Sequence, residues 1–299
     1  MTSTDNFITG VEDIPIETPI QASAFGPLCC SCYSRLCCCS CSYTVPTLKD
    51  LWTRDKRLLR SILVIVVLLN IPIGQYILYP FMIFSTWIHE SFHGLAAISV
   101  GGGIEWLNIY SDGSGLASTY TNGSSFQRGW VASAGYQSTA VVGGIMLMFR
   151  RSNFACRVGT CGIGFAIILS VILFIRNSFG LIMMAFMGAI LLLAGWCLPQ
   201  FWVGELYALL AATTCLNAVT SIRVLFSPAG MVNGVVTAGS DAVTLQEVSK
   251  VIPSCAWATI WMLLAFYMTT IGICFTIETK ENNTQAQEQF RAEEMAELT

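Results

Sequence analysis

The chain has 299 residues, 54% of them apolar and only 11% charged, with a mean hydropathy of +0.64. That balance excludes a water-soluble globule, and a net charge of −3, with its acids mainly in the two termini, excludes a nucleic-acid partner. The expected class is an all-α polytopic protein of the lipid bilayer, with about seven transmembrane helices and one small β-hairpin.

Residues 1–60 read as a cytosolic tail, polar and aperiodic as far as Gly26 and then abruptly cysteine-rich. Seven of the 13 cysteines lie within one short stretch, at Cys29, Cys30, Cys32, Cys37, Cys38, Cys39 and Cys41. A basic segment with Lys49, Arg54, Lys56, Arg57 and Arg60 follows. Cysteines beside a basic patch and a membrane suit S-acylation, in which acyl chains and anionic lipid hold the tail together. A zinc knuckle lacks a second C-x2-C and a nearby histidine, and disulfides fit a reducing cytosolic side poorly. No secretory signal precedes the spans, so the first span is expected to serve as its own insertion signal.

The membrane domain covers residues 61–277. Ser61 to Ile88 carries no charge and is too long for one span. Two helices are expected, one from Ser61 to Tyr79, kinked by Asn70, Pro72 and Gly74, and one opened by Pro80 and running to Ser99. The second contains His89-Glu90-Ser91-Phe92-His93, an H-E-x-x-H pattern. On a helix, imidazoles at i and i+4 share a face and can grip one metal ion. Glu90 lies about 60° round the helix from His93, where it can address a metal-bound water without displacing a ligand. His89 and His93 are the only histidines in the chain. Two placed at random fall four apart about once in 150 trials, and the glutamate makes coincidence rarer still. The alternative, two core histidines bonded to carbonyls, buries three polar groups in an apolar span to no purpose.

After Gly101-Gly102-Gly103 the periodicity changes. Ile104 to Tyr110 alternates, Ser111-Asp112-Gly113-Ser114-Gly115 supplies a turn, and Leu116 to Thr121 runs back, which predicts a hairpin next to the metal site. It reads either as a plain connector or as an edge strand that pairs with extended substrate, with Tyr110 and Asp112 as candidate substrate contacts. Further spans are expected at Trp130 to Phe149, Val158 to Ile175, Ser178 to Cys197, Phe201 to Ile222 and Ser254 to Ile277. Glu205, the only acid within them, is either an intramembrane functional carboxylate or a snorkelling side chain. Residues 278–299 form an acidic, solvated tail.

Loop charge places the N-terminus, residues 101–129 and residues 223–253 in the cytosol and the C-terminus outside, although Arg150, Arg151 and Arg157 count against that orientation. It makes Asn282 of Asn282-Asn283-Thr284 available for glycosylation and leaves Asn122 of Asn122-Gly123-Ser124 in the cytosol.

The chain resembles the M50B-like branch of the site-2-protease family of intramembrane metallopeptidases. The resemblance rests on His89-Glu90-x-x-His93 with Gly94 and Ala96-Ala97, the glycine run at Gly101, Ser111 to Gly115, Ala134-Gly135-Tyr136, and Ser240-Asp241-Ala242 followed by Leu245, Pro253, Trp257 and Trp261. It covers roughly Ile83 to Leu264. No Leu-Asp-Gly motif and no PDZ-like insert is present. The resemblance implies a Zn²⁺ cofactor on His89 and His93, Glu90 as the catalytic base, and membrane-protein substrates cleaved within the bilayer. A third protein ligand must be a carboxylate or cysteine, since no histidine remains, and the candidates are Asp112, Glu205 and Asp241. Asp241 is favoured because it shares a side with the hairpin and belongs to the resembling Ser-Asp-Ala motif; its competing role is to cap a short helix. The rival class is an inactive, protease-like membrane protein that binds partners or substrates without cleaving them. A metal transporter would need more polar residues across several spans.

Overall fold

The computed structural model describes residues 55–221, 230–232, 235–237 and 240–275. The cysteine cluster at 29–41 and the tail from 276 onward lie outside the described residues. The chain orders as α1 (Lys56–Leu69), α2 (Gly74–Ser99), β1 (Gly103–Ile109), β2 (Gly115–Tyr120), α3 (Ser125–Phe149), α4 (Asn153–Leu173), α5 (Ser178–Cys197), α6 (Gln200–Thr220), β3 (Gly230–Val232), β4 (Val235–Thr237), α7 (Asp241–Ser249) and α8 (Ser254–Cys274). Five of these, α3, α4, α5, α6 and α8, are long and apolar enough to cross a membrane. The protein is a multi-pass integral membrane protein.

The first two expected spans fold differently. The break falls at Asn70–Ile73, ten residues before Pro80, which sits inside α2. Pro72 and the Asn70 amide, which donates to the Val66 carbonyl at 2.7 Å, end α1 there. Its 14 residues reach only about 21 Å, short of the ~30 Å apolar core.

Contacts at the helix ends fix how the chain threads. Asp55, just before α1, pairs with Arg150 and Arg151 at the end of α3, and Arg150 donates to the Gly272 and Ile273 carbonyls at the end of α8. Arg60 forms a two-point ion pair with Glu205 in the first turns of α6 and lies 5.4 Å from the Phe201 ring. At the other end, Trp130 donates to Ser99 and Gln127 to the Val100 carbonyl, so the end of α2 meets the start of α3. Residues 55–60 and 99–130 are therefore at opposite ends of the bundle. Two complete spans between them would have left them at the same end. Among the described residues, α1 and α2 together lead from one end of the bundle to the other, and five further helices are long and apolar enough to cross a membrane.

The hairpin forms where its turn residues predict, with Ile109 opposite Gly115 and an irregularity between Ile104 and Trp106. Asp112 Oδ1 accepts from both the N–H (2.9 Å) and the hydroxyl (2.6 Å) of Ser114, which closes the turn. The outer edge of β1 is occupied: Leu107 N–H donates to Phe174 at 2.9 Å and Ile109 N–H to the Asn177 side chain at 3.2 Å. The outer edge of β2 faces α2.

Candidate metal centre

Side chains that will meet at one point begin on α2. Ile83, Phe84, Trp87 and Ile88 are buried in the bundle core, and the Trp87 indole donates to the Ser170 hydroxyl at 2.8 Å. This packing fixes the rotation of α2, so that the opposite face presents His89, Glu90 and His93 to a cavity of about 730 Å³. The cavity is lined by β2, by Tyr136 of α3, by Asn217 of α6 and by Asp241 of α7.

Asp241 is the first residue of α7, next to the N-cap Ser240, whose hydroxyl makes no capping bond. The helix start therefore aims the carboxylate at the histidines. Asp241 Oδ2 stands 3.2 Å from the Nε2 of His89 and 3.2 Å from the Nε2 of His93, and the two Nε2 atoms are 3.0 Å apart. Three such lone-pair atoms repel one another unless a proton or a cation lies between them. Bonds of 2.0–2.1 Å to a tetrahedral zinc ion would separate ligand atoms by about 3.3 Å, close to the observed triangle. The donor set of two imidazoles and a carboxylate also suits zinc. Burial by itself would raise the Asp241 carboxyl, but positive charge on the imidazole pair and the hydrogen bonds that a shared proton makes to the carboxylate outweigh it and hold the group well below the usual carboxylate range.

The surroundings hold these groups in place. His93 Nδ1 is 2.7 Å from the Val131 carbonyl, which can only accept, so Nδ1 carries the proton and Nε2 keeps its lone pair for the triangle. The His89 ring lies edge-on to Tyr136 (4.6 Å), which stacks on Trp261 of α8 at 5.3 Å. Gly135 permits this closeness: a Cβ there would stand 2.5 Å from His93 Nε2 and 2.6 Å from His89 Nε2. Glu90 is 7% exposed, and the Ala117 N–H of β2 donates to its carboxylate. Ala117 can do so because it faces Leu107, whose N–H also turns away from the hairpin. Gly115 keeps β2 close, since a Cβ there would meet the Glu90 side chain at 2.6 Å.

Of the residues singled out from sequence, His89, Glu90, His93 and Asp241 come together. Tyr110 and Asp112 do not line the cavity: they build the turn, and Gly115, Ala117 and Thr119 present the β2 edge instead. Glu205 is engaged by Arg60 at the far end of the bundle. Sequence reasoning assigned no role to Val131, Ala117 or Asn217. Tyr136 and Gly135 were visible only as part of the Ala-Gly-Tyr motif.

No curated protein and no solved structure matches the chain. A family model described as Peptidase M50B-like matches residues 59–272, well over half of the 299 residues, and covers every element of this centre. The chain belongs to the Peptidase M50B-like family.

Proposed function

We propose that this protein is a zinc-dependent intramembrane endopeptidase that cleaves membrane-embedded segments of other proteins. The reading is carried by one observation: the triangle of His89, His93 and Asp241 stands beside the buried carboxylate of Glu90 on the wall of a cavity edged by β2. His89, His93 and Asp241 would hold the ion. Bound zinc would acidify a water molecule and polarise a peptide carbonyl.

The chain's own groups perform the rest. Glu90, steadied by the Ala117 N–H, accepts the proton of the attacking water and returns it to the leaving amine. The Val131 carbonyl keeps His93 in one tautomer and orientation. An α-helical substrate hides its carbonyls in its own hydrogen bonds, so the segment must unwind. Apart from the Ala117 N–H, which Glu90 engages, the outer edge of β2 where it borders the cavity offers backbone groups with which an extended segment can pair. Tyr110 and Asp112 contribute by closing the turn that presents this strand.

The test is zinc content and cleavage of a membrane-segment substrate by purified wild type and two variants. Glu90→Gln should retain about one zinc per chain and lose roughly 10²–10⁴-fold in turnover, the usual worth of a general base. His89→Ala should lose the zinc as well. Turnover undiminished in Glu90→Gln would refute a peptidase mechanism and leave a partner-binding protein.

A further inference from the structure

The two ends of the bundle differ in basic charge. Lys56, Arg57 and Arg60 at the start of α1, Arg150 and Arg151 at the end of α3, and Arg157 in the first turns of α4 all belong to the Asp55 end. The cavity end has Arg128, Arg176 and Lys250. Among the described residues the count is six against three. Asp55 and Glu205 neutralise part of the first group, but acids weigh little in setting orientation. Exposed aromatic side chains mark both boundaries, with Trp196 and Trp202 at the Asp55 end and Phe126 stacked on Trp130 at the cavity end.

The threading decides what this asymmetry means. With two spans before the hairpin, Arg150, Arg151 and Arg157 fall on the side opposite the basic N-terminal segment and oppose any assignment. With one net passage they join it, and the conflict disappears. Asn122-Gly123-Ser124 then lies at the basic-poor end, in the exposed connection between β2 and α3 and eight residues before the boundary aromatic Trp130.

We propose that the Asp55 end faces the cytosol, that the cavity holding His89, Glu90, His93 and Asp241 opens on the exoplasmic side, and that Asn122 is an N-glycosylation site. Asn282, which follows α8, is on the cytosolic side and stays unmodified. The orientation stands on charge and threading and is independent of catalysis. One consequence rests on the peptidase reading: a substrate reaches β2 from the exoplasmic end of its own membrane segment.

The experiment expresses the full chain through a eukaryotic secretory pathway and reads glycosidase-sensitive mass shifts on protein that stays in the membrane pellet. Wild type should carry one glycan that is lost in Asn122→Gln and kept in Asn282→Gln. A shift lost only in Asn282→Gln, or no shift at all, overturns the modification site. Spaced acceptor cassettes, one inserted at Gly123 and one appended after Thr299, test the orientation separately. Glycan on the first alone supports it, while glycan on the second, on both or on neither overturns it.

Discussion

Two ionic clusters lie at opposite ends of this bundle, one buried and one partly open, and they differ in what they leave unanswered. Around Asp55 the charges satisfy one another: the Asp55 and Arg150 side chains are each 1% exposed, and Arg150 also donates to the carbonyls of Leu147, Gly272 and Ile273. Its geometry ties the ends of α3 and α8 to the start of α1. Around Asp241 the groups converge instead of pairing off, with side chains 19%, 10% and 23% exposed for His89, His93 and Asp241. A closed cluster whose donors all meet acceptors is architecture, whereas one that aims several acceptors at a shared point beside a cavity is a candidate site for a cation.

The difference can be broken by exchanging what each cluster loses. Asp241→Asn should abolish zinc retention and cleavage while leaving thermal stability equal to or above that of the metal-free wild type, because active-site polarity is held at a cost to the fold. Asp55→Asn should do the reverse, retaining zinc but destabilising the protein by about 3–5 kcal/mol, since two guanidinium groups lose their buried counter-charge. Burial alone would raise the Asp55 carboxyl, but hydrogen bonds and charge from Arg151 and Arg150 hold it below its ordinary value. A depressed folded pKa contributes stability above the unfolded value of about 3.9 and loses it as pH falls through the lower folded value. Stability curves of wild type and Asp55→Asn should thus converge only below about pH 4. Convergence near neutrality would show that the cluster does not act as an ion pair.

A smaller effect tests the metal side without touching a ligand. Gly135→Ala places a methyl group against both histidine nitrogens and should weaken zinc binding by about 10–100-fold, as loss of a ligand's supporting shell does. Gly162→Ala is the control: its Cβ meets nothing within 4 Å, and the helix should gain about 0.5–1 kcal/mol. Equal zinc affinity in both variants would mean that the histidines do not need the close approach of α3. The smallest effect is expected at the rim, where Arg128 and Glu247 stand 3.8 Å apart with both side chains more than half exposed. Arg128→Ala should change stability by no more than about 0.5 kcal/mol in thermal melts.

Legibility from sequence followed locality. The hairpin was readable because its turn closes through residues two apart, Asp112 and Ser114, and its strands alternate. The long spans were readable as uncharged runs, and their helices begin and end close to the expected positions. The first two were not, because Asn70, Pro72 and Pro80 each offered a break and sequence gave no means of ranking them. Arg150 was misleading for a related reason: as a charge after a span it reads as a loop residue, whereas its guanidinium is buried against Asp55, 95 positions away. Tyr110 and Asp112, candidate substrate contacts by sequence, lie in and beside the turn, while Gly115, Leu116, Ala117 and Thr119 of β2 line the cavity.

What the sequence determined by itself was the bilayer as solvent and one candidate metal-binding face, since i and i+4 on any helix bring His89 and His93 together and leave Glu90 beside them. What the tertiary structure decided was the partner of that face and the direction in which the chain threads. Asp241 comes to His93 from 148 positions away, and its approach depends on α7 packing across the start of α3. The physical reason is the solvent: helices that are apolar all round show no periodic stripe to say which side meets a neighbour. In lipid the choice falls to close packing and a few hydrogen bonds, such as Trp87 to Ser170 and Arg150 to the end of α8, which exist only once the helices have met.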